Sequence, residues 1–305
     1  MQHDHDHGHS LAEDLPLMTA LMARRRALKW FAGAGTAALV AGCGGSDGGN
    51  ASSSEVSVVA GTTATPTPTA TPTPTPTVTT TSTPTAACVV DATETNGPYP
   101  ADGTNSSSGV TSNALTVSGV VRSDIRSSFL GSSTATAAGV VLKLTITVVN
   151  ANASCAPLVG YAVYIWHCDA RGKYSLYDLP AESYLRGVQV TDVNGQVTFT
   201  TIVPGCYSGR FPHIHFEVFS TLATATSGRY ASLISQLAIP AAVTPAVYAD
   251  SVTYSGSATN AARVSIANDN VFADNTAAQI AQQTPTFTGS AAAGYAATVV
   301  VGLAR

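Results

Sequence analysis

Two histidines one residue apart, His213 and His215, close a segment that also carries Tyr207 and Arg210: Gly205-Cys206-Tyr207-Ser208-Gly209-Arg210-Phe211-Pro212-His213-Ile214-His215-Phe216. In a β-strand alternate residues project from one face, so the two imidazoles can chelate one ion. The chain has seven histidines, of which His3, His5, His7 and His9 crowd the N-terminus, leaving only His167 besides the pair. A second tyrosine, Tyr174, ends the turn Asp169-Ala170-Arg171-Gly172-Lys173-Tyr174 that follows the run Tyr161 to Cys168. Phenolate is a hard oxygen donor with an ordinary pKa of about 10, so its ionisation at neutral pH needs a strongly Lewis-acidic cation. Fe(III) meets that demand better than Zn(II) or Fe(II). Glu217 falls on the same strand face as the histidine pair and offers a rival, a His-x-His-x-Glu site for Fe(II). His167 shares a strand face with Val163 and Ile165 and reads as a packed or hydrogen-bonded histidine.

The elements that must carry these residues are mostly strands. Leu142, Leu144, Ile146 and Val148 alternate with Lys143, Thr145 and Thr147. Val188 to Thr191, the turn Asp192-Val193-Asn194-Gly195, and Val197 to Phe199 read as a hairpin with an Asn-Gly turn. Short strands between Gly, Asn, Asp and Ser turns imply a mainly β fold: a single sandwich or barrel-like catalytic domain over residues 87–305. Only brief helices are expected, for example from Thr276 to Gln283. The formal net charge is −4, and with no basic stripe the balance argues against nucleic acid as a partner.

Residues 1–43 read as a signal region. Arg24-Arg25-Arg26-Ala27-Leu28-Lys29 resembles the twin-arginine export consensus. The apolar run Trp30 to Val40 is shorter than the roughly 20 residues a membrane span needs. Val40-Ala41-Gly42-Cys43 looks like a lipoprotein processing site, which makes Cys43 the expected lipidated residue and the bacterial cell envelope the expected location. Residues 44–86 read as a Ser/Gly/Thr/Pro-rich disordered linker whose Thr-Pro alternation favours an extended spacer. Four further cysteines, Cys88, Cys155, Cys168 and Cys206, are an even number in an exported chain and favour disulfides. Three pairings are possible. The favoured one joins Cys88 to Cys155 and Cys168 to Cys206, since the latter two each lie close in sequence to part of the histidine-tyrosine site.

Three ordered segments carry a resemblance: Gly160 to Ser175, Leu185-Arg186-Gly187-Val188-Gln189-Val190-Thr191-Asp192, and Pro204 to Phe216. They are similar to the intradiol ring-cleavage dioxygenases, the catechol and protocatechuate dioxygenase family, as is Glu94-Thr95-Asn96-Gly97-Pro98-Tyr99, which resembles the family's opening motif. The similarity covers most of residues 88–305. It implies one non-heme Fe(III) per chain, ligated by Tyr174, Tyr207, His213 and His215. Tyr207 would be the tyrosine that leaves the metal when substrate binds, and Tyr174 the one that stays. Arg210 matches the family's active-site arginine, and Gln236 resembles a second-shell glutamine. The implied partners are an aromatic diol and O2, and the implied product is a cis,cis-muconate-type diacid. Familiar members are cytoplasmic with a long helical N-terminal dimerisation region, of which this sequence shows no obvious counterpart, so their oligomeric arrangement is not expected to transfer.

Two other readings remain at this level. One is a His213, His215 and Glu217 metalloenzyme of different chemistry. The other is a non-catalytic surface-binding β domain on a stalk.

Overall fold

Alternation builds the first sheet. The computed structural model describes residues 89–305; the signal region, Cys43, the linker and Cys88 lie outside the described residues. In β1 (Val141–Asn150), Leu142, Leu144, Ile146 and Val148 are fully buried, as the pattern predicts. β1 pairs antiparallel with β2 (Ala156–Pro157) and β5 (Gln196–Ile202). It also runs parallel to β9 (Gly294–Leu303), which pairs with β8 (Thr286–Ser290). The second sheet is antiparallel, in the order β4 (Arg186–Val190), β3 (Ala162–Trp166), β6 (His213–Phe219), β7 (Leu233–Ala238). Between the two sheets lies one core, in which Leu144, Phe199 and Val299 of the first sheet join Val163, Ile165, Ile214 and Phe216 of the second. Each such side chain contributes about 1.5–3 kcal/mol on burial.

The second sheet is covered on its other face as well. There Ala162, Tyr164, Trp166, Val188 and Phe219 pack against Leu115, Val120 and Tyr174 from the surrounding loops. All seven residues of β6 are therefore buried, with Ile214, Phe216 and Val218 turned to the sandwich core. His213, His215 and Glu217 share its opposite face. A doubly buried strand with a polar row on one face needs chemistry to satisfy that row.

Two sequence expectations are corrected by the fold. The turn at Asp192–Gly195 forms, with Gly195 N donating to Asp192 O at 2.9 Å, but it is not a hairpin. Its flanks enter different sheets, because Val188 finds its cross-strand partner in Tyr164 and Phe199 finds its own in Leu144. Cys168 and Cys206 are free and buried rather than bridged. They sit in different apolar clusters, and their thiols approach separate carbonyls, Gly205 O at 3.5 Å from Cys168 Sγ and Arg210 O at 3.5 Å from Cys206 Sγ. Cys155 is disulfide-bonded; with those two free, its partner lies outside the described residues, where the expected Cys88 also lies.

The helices are short: α1 (Thr244–Tyr248), α2 (Ser257–Ala261) and α3 (Ala277–Gln282). The expected one is α3, opened by a reciprocal capping box between Thr276 and Gln279. Among the described residues no helix is long and apolar enough to cross a membrane.

Candidate metal centre

Strand register sets the floor of the site. Across the second sheet Arg186 faces Trp166, Trp166 faces His215, and His215 faces Gln236. The Trp166 ring stacks on His215 with centroids 4.8 Å apart and planes 7° from parallel. Above this row two loops bring in the tyrosines. Asp169 shapes the first loop by accepting from Arg171 N and Lys173 N at 2.8 and 3.0 Å. Tyr174 N donates to Asp178 at 2.9 Å. Gly172, with φ +77°, lets the loops touch, since a Cβ there would stand 2.9 Å from Tyr207 Cβ.

The four sequence-predicted ligand residues converge. His213 Nε2 lies 3.1 Å from His215 Nε2, 3.2 Å from the Tyr207 hydroxyl and 3.5 Å from the Tyr174 hydroxyl. His213 Nδ1 donates to Phe211 O at 2.5 Å, which leaves its Nε2 as a lone-pair donor and fixes the ring as second partners of metal-bound histidines do. His215 Nδ1 is buried without a hydrogen-bond partner. Two imidazole nitrogens and two phenol oxygens around one point make a hard donor set that suits a trivalent cation.

The segment Glu94 to Tyr99 roofs this cluster. Gly97, φ +70°, places its missing Cβ 3.1 Å from His215 Cε1, and the Tyr99 ring lies 4.8 Å from that of Tyr174.

Comparison with known proteins fits this geometry. Residues 122–229 match the Dioxygenase family model (Dioxygenase_C). An intradiol ring-cleavage dioxygenase from Tetranychus urticae superposes with a TM-score of 0.52 at 22% identity, covering 71% of this chain and 95% of that one. The fold is that of the intradiol ring-cleavage dioxygenases. A second dioxygenase crystal structure gives the same TM-score of 0.52 at 24% identity, over 71% of this chain and 95% of its own. The 3-chlorocatechol 1,2-dioxygenase of Rhodococcus opacus 1CP is 18% identical, with 70% and 72% covered and a TM-score of 0.43. No curated protein matches the chain.

Electrostatics within this dioxygenase fold favour neutral imidazoles. Burial, reinforced by the Arg210 charge, pushes His213 down to about 3. Burial and then the neighbouring His213 hold His215 well below the ordinary histidine range. Burial also pushes the Tyr174 phenol well above its ordinary value and Tyr207 up to about 12. Tyr174 is 1% exposed, whereas Tyr207 keeps partial exposure.

Arg210 and Gln236 meet. Arg210 Nη2 donates to Gln236 Oε1 at 2.7 Å, and Gln236 Nε2 donates to Thr95 O at 2.8 Å. Sequence reasoning missed the partner on the other side, Asp269, which accepts from Arg210 Nε at 2.9 Å. It stands 59 residues from Arg210, in an Asn-Asp-Asn turn that carries no motif. His167 behaves as read, with its ring nitrogens satisfied by Cys168 O at 2.8 Å and Thr201 Oγ1 at 2.7 Å.

The Glu217 alternative fails. Glu217 shares the histidines' strand face but lies beside Asp102 and Gly228. Burial and the Asp102 carboxylate hold its carboxyl well above the usual range. No group of three or more His, Cys, Asp or Glu placed to hold a metal occurs among the described residues.

Proposed function

We propose that the domain is a non-heme Fe(III)-dependent intradiol dioxygenase that opens a catechol-type ring between its two hydroxyl-bearing carbons, giving a cis,cis-muconate-type diacid. The observation that carries this reading is the convergence of the Tyr174 and Tyr207 hydroxyls with the Nε2 atoms of His213 and His215. Bound there, Fe(III) supplies the Lewis acidity that ionises phenols and makes the diol's ring carbon reactive toward O2.

The chain's own residues divide the remaining work. His213 and His215, kept neutral by burial, present Nε2 lone pairs and need lose no proton to bind a cation. Tyr207, the more exposed of the two tyrosines, would accept a substrate proton at its oxygen once a bound cation has ionised that phenol. Tyr174, enclosed beneath Tyr99, stays in place. Arg210 holds positive charge beside both tyrosines and stabilises the negative charge that develops on the ring, a role whose loss costs about 100-fold or more in rate. The enclosing Glu94–Tyr99 segment and Gln236 limit water at the ring.

The test is a visible absorption spectrum and iron quantitation on the aerobically purified full chain, before and after adding catechol. The expected result is a broad phenolate-to-iron band at one iron per chain that shifts with catechol, with Tyr174→Phe and Tyr207→Phe each altering or abolishing it. An iron-loaded chain that is colourless, or whose colour and activity are unchanged in both variants, would refute the proposal.

A further inference from the structure

Arg210 is gripped along one edge only. Its Nε donates to Asp269 Oδ2 at 2.9 Å, and its Nη2 donates to Gln236 Oε1 at 2.7 Å and to Asp269 Oδ1 at 3.4 Å. Nη1 makes no hydrogen bond among the described residues and is the corner left for a ligand. A guanidinium is a rigid planar fork, so fixing Nε and Nη2 fixes the direction in which Nη1 points. Gln236 alone constrains one atom, whereas the carboxylate sets the plane.

Asp269 is itself immobilised. It is fully buried, and its Oδ1 accepts from Val271 N at 2.8 Å and Phe272 N at 3.1 Å. Its Oδ2 also accepts from Phe211 N at 2.7 Å, and the Phe211 carbonyl is the group that holds His213 Nδ1. One carboxylate thus clamps the arginine side chain and the backbone that orients the first histidine. Burial alone would raise the Asp269 pKa, but the Arg210 charge and these hydrogen bonds outweigh it and hold the carboxyl below its ordinary value.

We infer that Asp269 is the residue that positions Arg210 for catalysis, through the paired Nε and Nη2 contacts; this rests on the intradiol reading of the site. Asp269→Asn keeps the size but has one acceptor oxygen. It must turn an amide N–H toward either the Arg210–Phe211 donors or the Val271–Phe272 donors.

The experiment measures kcat and KM for catechol, with the visible band, on iron-loaded full chains of the wild type, Asp269→Asn, Arg210→Ala and the double variant. Arg210→Ala is expected to lose about 100-fold in kcat. Asp269→Asn is expected to lose about 10-fold or more, with a smaller change in KM and the band retained. The double variant should lose less than the full 10-fold relative to Arg210→Ala, because the contribution of Asp269 to kcat passes mainly through the arginine, and a loss routed through Phe211 and His213 would instead disturb the visible band. Losses that multiply, or a wild-type kcat in Asp269→Asn, overturn the inference. If Asp269→Asn alone does not fold, the comparison is made in the Arg210→Ala background, where a further loss of about 10-fold or more with the band retained overturns the inference and a smaller one supports it. A wild type with neither band nor ring-opened product sinks the intradiol reading and this inference together. That outcome differs from multiplicative losses on an active enzyme, which sink only the role of Asp269.

Discussion

His215 is confined on three sides: Trp166 stacks on one face, His213 Nε2 stands 3.1 Å away, and Gly97 closes the edge. Gly97 therefore does two things that no other residue can do together. It adopts φ +70°, and it leaves its Cβ volume to the imidazole, whose Cε1 would lie 3.1 Å from that atom. Gly97→Ala adds left-handed strain of about 1–2 kcal/mol and pushes the ring by a few tenths of an ångström. Trp166 blocks retreat. The expected outcome is a folded chain, by circular dichroism, whose kcat for catechol falls by roughly 10-fold or more, since small misplacements at a reacting centre are costly. A variant with wild-type kcat would show that His215 needs no such confinement. Spacing alone made the His-x-His pair legible in the sequence, whereas Tyr174 and Tyr207 joined it as ligands only through the resemblance that their motifs carry. Asp269 was not legible. An aspartate in a polar turn looks like any turn residue, and what distinguishes it is burial against Arg210, which exists only after folding. The free state of Cys168 and Cys206 was hidden for the same reason, since pairing depends on side-chain direction and not on count.

At the level of elements, the period-2 alternation of β1 reads directly from sequence because one face is core and the other solvent. The Asn-Gly turn was equally clear, but the strands it joins belong to different sheets, and no local signal says which partner a strand will choose. Asp91, just ahead of the Glu94–Tyr99 motif, carried no signal in the sequence, yet with Glu94 it straps the sandwich together. Asp91 N donates to Gly302 O at 2.9 Å, and the Asp91 carboxylate accepts from Gly302 N at 2.6 Å and from Gln282 of α3 at 2.9 Å. Three residues on, Glu94 N donates to Ile234 O of β7 at 2.8 Å. Burial pushes the Asp91 carboxyl up to about 7, against the lowering effect of its hydrogen bonds to Gly302 and Gln282. The folded state therefore binds a proton that the unfolded chain releases near its ordinary value. The contribution is present in full at low pH, erodes as pH rises from about 4 to 7, and is constant above that. Asp91→Asn carries no charge to bury. Its stability relative to wild type, from urea titrations at pH 4.5, 5.5 and 7.5, should rise with pH by up to about 1.4 kcal/mol per unit. A pH-independent difference would show that Asp91 is ionised in the fold throughout.

Across the whole molecule, the donor cluster is where otherwise separate parts meet. The 94–99 segment lies over His215, the 169–174 turn brings Tyr174, the 205–212 loop brings Tyr207 and Arg210, and β6 with its neighbours forms the floor. His213 Nε2 can accept a hydrogen bond from His215 Nε2 at 3.1 Å or from the Tyr207 hydroxyl at 3.2 Å, whereas His215 Nδ1 is buried without a partner. That is a cost carried by the fold, because buried polar groups need partners. A cation held by Nε2 of both histidines and by the two phenol oxygens would tie the loops to the sheet. Binding to the folded state alone stabilises it by RT ln(1 + [L]/Kd), about 2.7 kcal/mol at 100 times Kd. For a domain of this size each kcal/mol moves Tm by about 2–4 °C. Stripping iron with a chelator under reducing conditions should therefore lower Tm by roughly 5–10 °C, with readdition restoring it. The loss should also be local. Amide exchange is expected to accelerate in residues 94–99 and 169–184 while β1 and β9, on the far sheet, keep their protection. An iron-free chain that melts at the holo temperature with unchanged exchange in those loops would mean that the four side chains are held together by packing alone and that no metal contributes to the fold.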